Sequence, residues 1–366
     1  MQLNDIRSNL FSDSIPPIFT PLCRQSVART RPVIVPSIEN LIALKQNLSV
    51  YLLGAVANGH SQAVEQAVLK RKGGARAMLN LEKIKMDYCI DQLRSAYKRN
   101  YSNMEQELGN VIGWSSHLAL EIIANSDALY HNVEHTVMVV LAGQTILEGK
   151  HLSEGGVTPR DWANFIIALL CHDIGYVKGI CRDDRDSAIA TGIDGQKVTI
   201  TPGGTDAALA PYHVDRSKMF VRDRFGKGML TEGLVDAELM ASYIEMTRFP
   251  VPDGEIYKDT KGYQGLVRAA DFIGQLGDPY RIQKCTALFY EFEELGLNAQ
   301  LGYKTPGDLR KNNAKFYWDH VNIYIQEAMR YLRVTQDGKQ WIANLQANVF
   351  GAEHGCSMWP FTCSGA

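Results

Sequence analysis

The sequence predicts an all-α protein, on three observations. Apolar residues recur at helical spacing from Met78 to about Leu108 (Leu79, Leu81, Ile84, Met86, Cys89, Ile90, Leu93) and through most of the chain from Gly109 to Phe350. Helix-start chemistry precedes these stretches, most clearly at Thr158, a good N-cap, with Pro159 at the first helical position. Strand-like alternation is confined to "DGQKVTITPGG", which is weak and rich in turn residues and reads as a small hairpin or loop insertion near 194–203.

Taken in order, residues 1–37 hold several prolines and few periodic apolar positions, and read as irregular. Two short helices fit between Ser37 and about Lys70, and the basic, glycine-paired "KRKGGAR" from Lys70 to Arg76 reads as a hinge. A long amphipathic helix follows, so that residues 1–110 form an extension, irregular and then helical. Residues 111–350 read as one helical bundle. One helix runs through Ile123, another from Leu129 through Leu147, and a third from Pro159 to the glycine of "DIGY". Further helices are read in "PYHVDRSKMFVRDRF", "VDAELMASYIEMTRF", "YQGLVRAADFIGQLG" and "WDHVNIYIQEAMRYLRVT", and residues 351–366 as a tail.

Composition narrows the function classes. The chain has 366 residues, 45% hydrophobic and 21% charged, with a net charge of −2, so no global field draws it to nucleic acid or to a membrane. No stretch reaches the roughly 18 apolar residues of a spanning helix, and the proline-broken "LFSDSIPPIFTPL" is not a secretion signal. Seven cysteines without a CxxC pair argue against a disulfide scaffold and for the cytoplasm. Cys171 reads as a small core residue, because no basic partner that would activate a thiol is evident.

The chemistry sits in three runs. "YHNVEHT" carries His131 and His135 four residues apart, a spacing that puts both on one helical face. "CHDIGY" carries the adjacent pair His172 and Asp173, and "RAADFIGQL" carries Asp271 among apolar neighbours. Imidazole and carboxylate are the ligands that divalent metals accept. Charged groups inside apolar helices are costly unless paired or metal-bound. Three helices converging on one point is how metal sites are built in helical bundles.

This ordered pattern resembles the HD-domain metal-dependent phosphohydrolases, and "YHNVEHT" is similar to the corresponding segment of class I cyclic-nucleotide phosphodiesterases. The resemblance spans about residues 127–280. It implies an HD-type helical bundle in which His135, His172, Asp173 and Asp271 bind one or two divalent ions (Mn, Mg, Zn or Fe). Asp173 would bridge two ions, and His131 would act as general acid on the leaving oxygen. It implies hydrolysis of a phosphate mono- or diester by metal-activated water, on a small phosphorylated substrate such as a nucleotide. The chain departs from the family at Tyr176, where class I phosphodiesterases carry HDxxH and the HD-GYP enzymes HDxGK.

Four further residues are candidates for contacting the substrate: Lys178, two positions beyond Tyr176; His213, in the first turn of a helix after Pro211; Arg216 on that helix; and Arg248 in "EMTRFPVP". Lys178 and Arg216 also read as solvated side chains, His213 as a capping or surface residue or a ligand to a second ion, and Arg248 as a cap on a helix C-terminus. Two other functions fit the same residues. One is an HD-fold diiron oxygenase, although that site has two additional histidines between the HD pair and the last aspartate, where this chain has only His213. The other is a regulatory protein that keeps a metal or nucleotide site without catalysis.

Overall fold

A computed structural model describes residues 80–355, Asp186 excepted. The irregular segment, short helices and basic hinge read in residues 1–76 lie outside these residues, as do residues 356–366 of the tail. The described part is all-α, with one antiparallel two-stranded sheet. No described helix is long and apolar enough to cross a membrane.

The expected long helix ends earlier, at Tyr101, and the next helix takes up its last residues. α1 spans Leu81–Tyr101 and α2 spans Gln106–Ile123, separated by a turn in which Ser102 and Glu105 adopt φ of 51° and 44°. No glycine or proline announces this break. The Tyr97 hydroxyl fastens it by donating to the Glu105 carbonyl at 3.0 Å. Cys89, Ile90 and Leu93 of α1 join the main apolar core.

α3 (Val133–Glu154) is the central helix. Val139, Val140, Ala142, Ile146 and Leu147 are all fully buried, as expected of a helix enclosed on every side. It starts four residues later than its sequence suggested, because Asn132 caps it. α4 (Pro159–Cys171) begins as anticipated: Thr158 and Asp161 form a reciprocal capping box ahead of a fully buried run. A single 3₁₀ turn, Ile174–Tyr176, follows the HD pair.

The hairpin is real but lies upstream of its expected place. β1 (Ala188–Ala190) pairs with β2 (Lys197–Thr199), with Ile189 opposite Val198. The alternation near 194–203 is only its second strand; the first is the short "AIA", whose small residues carry little strand signal.

α5 (His213–Phe225), α6 (Ala237–Glu245) and α7 (Tyr263–Leu276) complete the layer around α3 and α4. α8 (Arg281–Glu294), α9 (Leu297–Leu301), α10 (Pro306–Phe316), α11 (Asn322–Leu332) and α12 (Gln336–Glu353) follow, with a π-helical turn at Tyr317–Val321. α12 thus continues beyond residue 350 into what read as tail.

Small residues set the spacing of the helices that matter most. A Cβ on Gly274 of α7 would stand 2.5 Å from the Val139 Cα, and one on Gly143 would stand 2.1 Å from a Leu169 methyl. Close approach at these points draws α7 and α4 onto α3. Gly175 does the same for the HD turn: a Cβ there would lie 1.9 Å from the His213 carbonyl oxygen. Overpacking against backbone is not relieved by a rotamer change, so Gly175→Ala is expected to lower unfolding free energy by about 2 kcal/mol or more in denaturant titrations. Wild-type stability in that variant would show that α5 can retreat from the turn.

Candidate metal centre

Three pieces of backbone deliver the sequence-selected residues to one place. Asn132 accepts hydrogen bonds from the backbone N–H of Glu134 (3.0 Å) and His135 (3.3 Å), which fixes the first turn of α3 with His135 pointing inward. His172 closes α4, and Asp173 follows at φ −107°, ψ 5°, so the two side chains turn to a common side. Ser217 of α5 locks this corner, donating to the His172 carbonyl at 2.7 Å and accepting the Gly175 N–H at 2.9 Å. Asp271 arrives on α7 through the glycine contacts described above.

The four side chains converge. His135 Nε2 and His172 Nε2 each lie 3.1 Å from Asp173 Oδ2, and 3.7 and 3.8 Å from Asp271 Oδ1. Two ligand atoms about 2.1 Å from one cation and near tetrahedral or octahedral angles are roughly 3.0–3.4 Å apart. The Asp173 distances fall in that window, and the Asp271 distances just outside it. His172 Nε2 and Asp173 Oδ2 are buried without a hydrogen-bond partner, a costly arrangement for two polar atoms unless a cation takes up their lone pairs. His172 Nδ1 donates to the Leu169 carbonyl at 2.7 Å, which leaves Nε2 as the free lone pair, the usual support of a metal-binding imidazole. The donor set and its spacing therefore fit a divalent ion. Both His135, His172 and Asp271 and His131, His135 and Asp173 form groups able to hold one.

The electrostatics agree. Burial opposes ionisation of Asp173, but His172 and His135 outweigh it and hold the carboxyl well below the usual aspartate range. Burial likewise works against a charged His172, yet Asp173 lifts it to about 9. Burial pushes His135 down and Asp271 up. A bound cation would displace the His172 proton.

His131 does not lie on α3. It sits in the turn before Asn132, so it and His135 do not share a helical face, although their rings are 5.5 Å apart. Its Nδ1 is 2.6 Å from Glu291 Oε2, and its ring stacks on Tyr176 at 4.3 Å. Burial depresses its pKa, but Glu291 more than compensates and raises it. Tyr176, the residue that departs from the family pattern, is buried between two histidines, with His213 stacked on it at 4.6 Å. Side chains of His131, Asp271 and His213 remain 17, 21 and 16% exposed, whereas those of His135, His172 and Asp173 are at most 7% exposed, so the site opens along the first three.

The substrate candidates divide. His213 stands at the site: Nδ1 donates to the Ala210 carbonyl at 2.6 Å and Nε2 is 3.7 Å from Asp173 Oδ1, with burial pushing its pKa down to about 4. Lys178 is engaged by Asp206 at 3.3 Å and Asp127 at 3.6 Å. Arg216 is fully buried and is not a substrate residue. Its guanidinium donates to the carbonyls of Gly175, Val177 and Ala190 and to both oxygens of Asp184, which uses all its N–H groups. Arg248 is neutralised by Glu245 at 2.6 Å and Asp215 at 2.9 Å. Cys171 is fully buried, and burial raises its thiol pKa, consistent with a core residue.

Around Glu245, burial disfavours the charge, but Arg248, Lys218 and Tyr257 hydrogen-bond to it and hold it at about 2. A carboxyl lowered on folding stabilises the native state above its unfolded pKa of about 4.3 and loses that contribution as pH falls through the folded value. Wild type should therefore lose stability between about pH 4.3 and 2 more steeply than Glu245→Gln, as read by unfolding at fixed pH. Parallel curves would remove Glu245 as a source of acid lability.

Glu291 is the site residue that sequence reasoning missed. It lies on α8 within "YEFEEL", a run that the sequence analysis did not single out. Its burial and its partners 160 residues away leave no local signal.

Fold and site together define an all-α protein with a buried histidine–aspartate cluster able to hold a metal ion. The chain belongs to the Npun_R2479-like family, whose sequence model matches residues 79–355. No curated protein matches it.

Proposed function

We propose that the chain is a metal-dependent phosphohydrolase, of the HD-domain kind, that hydrolyses a phosphate mono- or diester of a small molecule such as a nucleotide in the cytoplasm. The observation that supports this reading best is the convergence of His135, His172, Asp173 and Asp271, with two buried atoms lacking partners. The ordered sequence pattern supports it too. A divalent ion held there supplies an activated water and polarises a phosphoryl oxygen. The residues of the chain do the rest. His135, His172, Asp173 and Asp271 orient the ion, and His131 on the open side carries a proton to the leaving oxygen. His213, facing Asp173 Oδ1, contacts a phosphoryl oxygen or helps to hold a second ion.

A second reading, an HD-fold diiron oxygenase, draws on the same His213 placement. It has one histidine too few between the HD pair and Asp271. Metal analysis of the purified protein combined with a phosphatase and phosphodiesterase panel, with and without chelator, separates the readings. Chelator-sensitive release of phosphate or alcohol is the expected result. Bound iron with oxygen consumption and no ester hydrolysis would replace it with the oxygenase. Bound metal with neither activity would leave a regulatory protein.

A further inference from the structure

The loop between α6 and α7 carries a feature that the metal centre does not use. Together with the start of α11 it forms a cleft of about 310 Å³, lined by Val251, Pro252, Asp253, Tyr257, Ile323 and Tyr324 among others. None of His131, His135, His172, Asp173, His213 and Asp271 lines it. The volume is at the lower end of the roughly 300–1,000 Å³ typical of small-molecule sites.

The loop is fixed at three points. Phe249 packs edge-on against Phe272 and Phe316. The Tyr257 hydroxyl donates to Glu245 Oε1 at 2.7 Å. Arg268 of α7 donates to the carbonyls of Tyr257 at 2.8 Å and Asp259 at 2.6 Å, and its guanidinium stacks on Tyr324, 4.0 Å from the ring centroid. The walls are therefore set before a ligand arrives, which removes part of the ordering cost of binding.

Charge selects the ligand. Asp253 is exposed and, among the described residues, has neither an ion pair nor a hydrogen bond. The two cations nearby are engaged. Lys258 pairs with Glu255. Arg268 is 1% exposed, closed off by the Tyr324 ring and the loop carbonyls, so a ligand in the cleft does not touch it. An anion would meet a free carboxylate and no free positive charge, whereas an ammonium group meets Asp253. The remaining lining of two tyrosine rings, Val251, Pro252 and Ile323 suits a flat apolar body, and aromatic faces attract cations as well.

We propose that this cleft binds a small organic cation, a primary ammonium joined to a flat apolar body, with Asp253 receiving the ammonium and the tyrosine-lined wall the body. The site is separate from the histidine–aspartate cluster and does not depend on the reaction proposed there.

Tryptamine is a probe of this shape, and indole-3-ethanol is its neutral counterpart. Calorimetric titration of the full-length protein with tryptamine, once with chelator and once loaded with zinc, should show saturable binding of equal affinity. Indole-3-ethanol should bind at least about tenfold more weakly, the worth of one charge-assisted hydrogen bond at a solvent-accessible carboxylate. Asp253→Asn should erase that difference by weakening tryptamine alone. Ile323→Lys, which adds a cation to the cleft wall, should weaken tryptamine too. Both residues are exposed, Ile323 by 60%, so both variants are expected to keep the fold. No saturable tryptamine binding up to about 10 mM overturns the proposal. So do equal affinities for the amine and the alcohol, or wild-type tryptamine affinity in either variant. Binding that disappears with the metal overturns it as well, because the amine would then be held at the metal centre.

Discussion

Asp173→Ala and His172→Ala are expected to lose the divalent ion proposed for this centre while keeping wild-type helix content. This is the largest effect expected of any single substitution here. Asp173 Oδ2 is the shared neighbour of both buried histidine Nε2 atoms at 3.1 Å, so removing it takes away the charge that makes the pocket attractive to a cation. The helices do not depend on it. α4 is set by its Thr158–Asp161 box and buried apolar run, and the corner is held by Ser217 and Arg216. Elemental analysis after dialysis, paired with far-ultraviolet circular dichroism, reads both quantities. Unchanged metal content in both variants would mean that the ion binds elsewhere or not at all.

His131→Ala separates acid catalysis from scaffolding. On the proposed phosphohydrolase reading the variant should keep its metal, because the four proposed ligands His135, His172, Asp173 and Asp271 are untouched, and lose on the order of 10²–10⁴ in turnover of an alkyl phosphoester. With a nitrophenyl leaving group the loss should shrink. Glu291 remains satisfied by the Tyr130 and residue 131 backbone N–H groups, so little collapse is expected around it. His135→Ala should behave differently, weakening metal binding and slowing both substrates. If His131→Ala slows good and poor leaving groups alike, His131 serves to support the site instead of donating a proton.

The sequence was most legible where chemistry is rare or local. Adjacent His172 and Asp173 in an apolar helix, His135 after a capping asparagine and Asp271 among alanines stand out because charge in such settings is unusual. The structure brings those four together. Thr158 and Pro159 marked a helix start for equally local reasons. Contacts made only by folding were not legible. Arg216 read as a phosphate contact because its neighbours are basic, but tertiary packing surrounds it with carbonyls and Asp184. Glu291 carried no local signal, and only folding brings α8 under the turn that carries His131. The break after Tyr101 was hidden because a tyrosine hydroxyl and two left-handed residues make it, and no glycine does.

Arg216 also changes what the hairpin excursion is. A single guanidinium joins the Gly175 and Val177 carbonyls, just beyond the HD pair, to Asp184 and Ala190 at the start of the excursion. Donors this deeply enclosed cannot be released to water one at a time without leaving others stranded. The excursion and the histidine–aspartate corner therefore open as one cooperative unit or not at all. Damage to the hairpin would be felt as a failure of the metal-ligand corner, well before the helical core gives way.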